Sequence, residues 1–243
     1  MRKAYALIFF LVFLIACPVR AQKVGLVLSG GGAKGMTHIG IIRALEENNI
    51  PIDYITGTSM GAIVGSLYAM GYSPDDMEKM IKSPDFKKWY SSGGIEEEYM
   101  YYFKMNPPTP EFVNIRLSKM KMAKKVKTKF LPSSVVDPMH MNIVFVELYA
   151  QATAKCGGNF DNLFVPFRCV ASDVYNKRPL IMGSGDLGDA VRASMSFPGM
   201  FKPIEIDSVL AYDGGIYDNF PVSTMINDFH PDIIIGSVVS SNP

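Results

Sequence analysis

The stretch Lys23-Val24-Gly25-Leu26-Val27-Leu28-Ser29-Gly30-Gly31-Gly32-Ala33-Lys34-Gly35 decides how the chain must fold. Lys23 to Ser29 is an almost unbroken apolar run, as a strand buried on both faces requires, and it runs straight into glycines. Met36 to Asn48 follows with Ile39, Ile42 and Leu45 at helical spacing and Arg43, Glu46 and Glu47 between them. That pattern is an amphipathic helix. A second strand, turn and helix come next. Pro51 to Thr56 reads as a short strand ending at Gly57-Thr58-Ser59-Met60-Gly61, and Ala62 to Met70 is small or apolar all round, hence a buried helix.

Working outward, Ser73-Pro74-Asp75-Asp76 opens a helix, with a capping serine, proline at the first position and acids in the first turn. Residues from about Ser83 to Pro132 break the rhythm with clustered aromatic and methionine residues, Pro107-Pro108 and many lysines, and read as an insertion or lid over the core. Regular structure resumes with a helix from Asp137-Pro138 to about Thr153. A strand near Phe164 to Ala171, a helix around Leu187 to Met195 and strands at Val209 to Tyr212 and Asp232 to Val239 complete the pass. Strands alternating with helices predict an α/β fold with a mostly parallel sheet covered on both faces. No internal repeat is visible, and the stop just after the last strand suggests the front part of a longer polypeptide.

Composition narrows the possibilities. A chain of 243 residues suits one larger domain, and a formal net charge of +1 gives no global attraction to nucleic acid or to anionic membrane. Any lipid contact must therefore be local; the run from Lys119 to Lys129, interleaved with Met120, Met122 and Val126, reads as a solvated face or as a peripheral membrane contact. Three cysteines, Cys17, Cys156 and Cys169, are too few for a disulfide framework and have no zinc-type partners. Residues 1–21 start with Arg2 and Lys3, continue apolar from Ala4 to Ala16 and end small at Ala21, the pattern of a signal peptide. Cleavage after Ala21 is the first expectation, and Leu14-Ile15-Ala16-Cys17 offers lipidation of Cys17 as the second. Both place the protein outside the cytoplasm: in a bacterial periplasm, at the outer membrane or secreted.

Gly57 to Gly61 has the G-x-S-x-G spacing at a strand-to-helix junction. There a cramped backbone lifts the Ser59 hydroxyl clear, and the helix N-terminus faces developing negative charge. For Gly30 to Gly35 three readings compete. A phosphate loop requires Lys followed by Ser or Thr, yet Lys34 precedes Gly35 and Met36. A dinucleotide site requires an acid closing the second strand, where Asp53 sits at the wrong end. An oxyanion hole from the Gly31 and Gly32 amides fits best. For the base, the candidates are His38, His140, His230 and Asp213. His230 gives the chain order of an α/β-hydrolase triad but precedes the last strand, at the wrong edge. Asp213 follows a strand and precedes Gly214-Gly215, so it is expected at the edge that carries Ser59, with its pKa raised by burial.

In this order, Gly30 to Gly35, Gly57 to Gly61 and Asp213-Gly214-Gly215 resemble the motifs of the patatin-like phospholipase family. The stretches Ala193 to Pro203 and Asp218 to Val222 resemble that family's segments around its aspartate. The resemblance covers roughly Val24 to Val239. It implies a three-layer α/β/α sandwich, a Ser59–Asp213 dyad, and an oxyanion loop from Gly30 to Gly35 that includes Lys34. It further implies hydrolysis of phospholipid or other fatty-acyl esters with no metal and no cofactor. Secreted bacterial members sometimes carry a C-terminal β-barrel, which would suit a chain continuing past Pro243.

Overall fold

The structure, a computed structural model, describes residues 22–84, 86, 136 and 139–240, with only the backbone at 139 and 140. The expected signal peptide, Cys17, nearly all of the insertion with its lysine run, and the His140 side chain lie outside the described residues. In chain order the elements are β1 (Val24–Leu28), α1 (His38–Glu47), β2 (Tyr54–Thr58), α2 (Met60–Ala69), α3 (Pro74–Lys82) and α4 (Met139–Cys156). They continue with β3 (Phe167–Asp173), β4 (Arg178–Met182), α5 (Leu187–Ser194), β5 (Ile204–Ile206), β6 (Val209–Asp213), α6 (Val222–Phe229) and β7 (Ile233–Ser237). A 3-10 segment, Gly32–Thr37, joins β1 to α1.

Each long element forms for the reason its sequence suggests. All five residues of β1 and all ten of α2 are buried, as their apolar, glycine-containing runs require. Ser73 accepts a hydrogen bond from the Asp76 amide at 3.2 Å and caps α3. Helices cover both faces of the sheet. Gly65 of α2 lies against Ile55 and Phe167 on one face. On the other, Tyr54 stacks on Phe229 of α6 at 4.8 Å between ring centroids, and Met225 fills the space beside Gly25. Leu26, Leu28, Ile55, Leu67 and Phe167 are fully buried between these layers, each contributing about 1.5–3 kcal/mol by transfer from water.

The sheet is mixed rather than mostly parallel. β7, β1, β2 and β3 form a parallel block, while β4 and β6 pair antiparallel with β3, and β5 pairs antiparallel with β6. Two short strands, β4 and β5, are absent from the sequence reading. β4 starts Arg178-Pro179 and its apolar run is only Leu180 to Met182, and β5 has three residues, so both patterns are too short to stand out. β2 also runs two residues further than expected, to Thr58, so that Ser59 follows it without a linker.

The register on β3 fixes the geometry of everything that follows. Val170 pairs with Thr58 of β2 and with Ile181 of β4; Ala171 pairs with Leu180 of β4 and with Asp213 of β6. A strand residue has only two ladder edges. Since β4 occupies one edge at both positions, β2 and β6 must share the other, end to end. They run in opposite directions, so their carboxyl ends meet between Val170 and Ala171. Asp213 is therefore at the expected edge, but by an antiparallel approach and not as the end of another parallel strand.

Candidate active site

Ser59 leaves β2 with φ 55° and ψ −119°, a conformation that costs a non-glycine residue on the order of 1–3 kcal/mol. The neighbourhood over-determines it. A Cβ on Gly57 would stand 2.5 Å from the Gly61 carbonyl oxygen, and one on Gly61 would stand 2.4 Å from the Leu28 carbonyl oxygen. Only hydrogen fits at either position, which lets α2 start directly behind the serine. The Ala62 and Ile63 amides donate to the Ser59 carbonyl at 2.9 and 3.1 Å. The Ser59 amide donates to Ser194 Oγ at 2.9 Å, and Ser194 Oγ in turn donates to the Val170 carbonyl at 2.6 Å.

Asp213 comes from the other direction and is 5% exposed. Its Oδ2 accepts a 2.7 Å hydrogen bond from Ser59 Oγ, and its Oδ1 accepts one of 2.7 Å from the Gly215 amide. Its own amide donates to the Ser196 carbonyl at 3.0 Å. Burial pushes the carboxyl pKa above its ordinary value, and the bonds from Ser59 and Gly215 only partly counter this. A carboxylate so placed is a better proton acceptor than a solvated one, and among the described residues its only side-chain donor is the serine hydroxyl. Gly214 packs beneath Val170 and completes the turn.

The glycine loop closes the third side. The Gly30 amide donates to the Asn219 carbonyl at 3.1 Å, and a Cβ on Gly30 would lie 2.4 Å from Asn219 Oδ1 and 3.1 Å from Ser59 Cβ. Gly35 is buried against Met60, which draws the loop onto the start of α2. Gly31 and Gly32 precede and open the 3-10 segment and line the cavity above Ser59; among the described residues neither amide donates to another group. Lys34 belongs to the same segment, but its side chain is exposed and does not line the cavity.

That cavity measures about 620 Å³. Its wall is built from Met36, Ile63, Met195, Phe197, Met200 and Phe201, and Asp213 is its one ionisable side chain among the described residues. No group of three His, Cys, Asp or Glu is placed to hold a metal among the described residues.

The described histidines stand apart from Ser59. His38 is buried, with Nε2 at 2.9 Å from the Ser29 carbonyl and Nδ1 at 2.8 Å from Ser237 Oγ. The carbonyl can only accept, so Nε2 carries the proton and Nδ1 accepts from the hydroxyl. Burial lowers its pKa and keeps it a neutral brace between α1 and the ends of β1 and β7. His230 caps α6 in a left-handed conformation, φ 49°. Two residues on, the Asp232 amide bonds to the Lys23 carbonyl, ahead of β1, so His230 lies at the amino edge of the sheet, opposite Ser59. Ser194, Ser196 and Asn219 carry no role in the sequence reading. They lie within the two stretches that resemble the family's, but their partners are distant in sequence.

Comparison with known proteins bears on the family and the fold. The profile of the patatin-like phospholipase family matches residues 26–226. Lysophospholipase NTE1 of Candida albicans is 28% identical over 225 residues, 91% of this chain and 14% of that protein. Lysophospholipase NTE1 of Scheffersomyces stipitis is 30% identical over 84% of this chain and 11% of its own length. A patatin-like phospholipase domain-containing protein of Caenorhabditis elegans is 28% identical over 85% of this chain and 13% of its length. The chain thus spans only a small part of these relatives. Among solved structures, VipD from Legionella pneumophila superposes with a TM-score of 0.53 at 17% identity, over 88% of this chain and 49% of that one, a likeness of fold. With its motifs inside the matched span and its fold shared, the chain belongs to the patatin-like phospholipase family.

Proposed function

We propose that the chain is a serine acyl-ester hydrolase acting on phospholipids or lysophospholipids, with Ser59 as nucleophile and Asp213 as its base. The observation that carries this reading is the 2.7 Å hydrogen bond from Ser59 Oγ to Asp213 Oδ2 in a largely apolar cavity. Ser59 Oγ attacks the ester carbonyl carbon while its proton passes to Asp213. The amides of Gly31 and Gly32 receive the oxyanion, a contribution of about a hundred- to a thousandfold per donor in comparable sites. The carbon–oxygen bond then breaks, and the leaving alkoxide takes the proton from Asp213. Water attacks the resulting acyl-serine and gives a proton to the same carboxylate; the acyl–Oγ bond then breaks, Asp213 returns the proton to Ser59 Oγ, and the fatty acid departs.

The cavity's apolar wall supports the fatty-acyl chain as the bound part of the substrate. The lining holds no cation among the described residues, so head-group phosphate is left outside it. Phe197 and Met200 line the cavity yet are 60% and 42% exposed, which favours peripheral contact with a lipid surface around its mouth. The basic, apolar and small-ended pattern of residues 1–21 favours export with cleavage after Ala21, or lipidation at Cys17.

Lysophospholipid hydrolysis and fluorophosphonate labelling of wild type, Ser59→Ala, Asp213→Asn and His230→Ala test the reading. Ser59→Ala should lose both signals, Asp213→Asn should lose about a thousandfold or more in kcat, and His230→Ala should stay within about twofold. A folded wild type that neither labels nor hydrolyses any acyl ester points to a lipid-binding module instead. A large loss in His230→Ala would return the triad.

A further inference from the structure

Arg192 is 3% exposed and sits in the last turn of α5; Asp189, three residues back, attracts it by charge but forms no ion pair with it. Its Nη1 donates to Ser196 Oγ at 2.7 Å, its Nε to Asn142 Oδ1 at 3.0 Å and its Nη2 to the Lys202 carbonyl at 3.4 Å. The guanidinium also lies 5.2 Å from the centre of the Phe201 ring. Burying a cation among neutral acceptors is costly, and burial depresses its pKa to about 10. A fold keeps such a group where its fixed fork of donors holds several segments at once, a geometry that lysine lacks.

The segments it holds lead to one place. Ser196 Oγ accepts from Arg192 and donates back to the Arg192 carbonyl at 2.8 Å, which fixes the turn after α5. That turn presents the Ser196 carbonyl to the Asp213 amide at 3.0 Å, and two residues earlier it presents Ser194 Oγ to the Ser59 amide at 2.9 Å. Asn142 ties the same guanidinium to α4, and Phe201 ties it to the cavity wall. We propose that Arg192 is a positioning residue that, through Ser196, locks the backbone of Asp213 at hydrogen-bonding distance from Ser59. Arg192 touches neither Ser59 nor Asp213 directly, so its effect is on geometry.

This proposal rests on the Ser59–Asp213 reading, and a double-mutant cycle keeps the two separable. kcat and KM for a p-nitrophenyl acyl ester are measured for Arg192→Lys and Ser196→Ala, each in the wild-type and the Asp213→Asn backgrounds, with thermal melts of every variant. In the wild-type background each substitution should lower kcat about tenfold or more with KM within about twofold. In the Asp213→Asn background, where the positioned base is gone, either should change kcat by less than about twofold. A loss that carries over undiminished, or no loss at all, overturns the positioning role and leaves the dyad standing. Full activity in Asp213→Asn alone overturns the dyad, and this role with it. If Arg192→Lys does not fold, Ser196→Ala, which keeps the guanidinium and removes only its link, decides between these outcomes.

Discussion

The two arms of the site reach the same edge of β3 by different means. The β2 arm delivers Ser59 through steric exclusion: glycines at 57 and 61 let backbone approach backbone, and a strained serine results. The β6 arm delivers Asp213 through pairing and polar contacts: three ladder pairs with β3, an amide bond to Ser196 and a carboxylate held by Gly215 and Ser59. The first arm is rigid because nothing larger fits. The second also has a tight glycine, Gly214 against the Val170 carbonyl, but Asp213 itself is held by its hydrogen bonds. The serine arm should therefore fail abruptly under substitution, and the aspartate arm by degrees.

Gly61→Ala gives the largest effect. Its new methyl collides with the Leu28 and Ser29 carbonyl oxygens, so soluble protein should carry no fluorophosphonate label and melt far below wild type or not accumulate. A labelled, stable Gly61→Ala protein would show that the β2 arm yields after all. Ser194→Ala is intermediate. It removes the acceptor of the Ser59 amide and leaves the Val170 carbonyl short of a donor, so kcat should fall about ten- to a hundredfold with the fold retained. Wild-type kcat in this variant would mean that glycine packing alone holds the serine.

The smallest effect concerns stability and has the opposite sign. Asp213 has a folded-state pKa above its unfolded value, so its contribution to stability is full below the unfolded value. That contribution is lost as pH rises through the folded one. At neutral pH the ionised carboxylate is a net cost that Asp213→Asn removes. The inactive variant should then melt higher than wild type at pH 7, by roughly 2–4 °C per kcal/mol, and the gap should close in acid. Activity runs the other way, since the base must be ionised: wild-type kcat/KM should fall as pH drops through that raised pKa. An Asp213→Asn protein that melts lower at pH 7 would mean that the lost carboxylate bonds outweigh the burial cost.

The difference between the arms also explains which features the residues announce by themselves. Steric demands leave glycines at fixed spacing, so Gly30 to Gly35 and Gly57 to Gly61 are legible in the sequence, and the expected end of β2 differs from the observed one by only two positions. Strand direction leaves no such mark. Val209 to Asp213 reads the same whether its neighbour runs parallel or antiparallel, so the sequence places Asp213 at the right edge for the wrong reason. The short strands β4 and β5 owe their form to partners rather than to their own pattern. Ser194, Arg192 and Asn219 act through contacts on other elements, and residue type alone does not announce them.

The end-to-end meeting of β2 and β6 has one more consequence, for error control during assembly. Side chains alternate along a strand, so a slip of β6 by a single position along β3 would turn Asp213 to the opposite face. A chain that zips up one step out of place would turn Ala211 and Asp213 off the buried face together and lose the Ser59–Asp213 contact. Under the proposed Ser59–Asp213 reading, faulty copies would thus be silent.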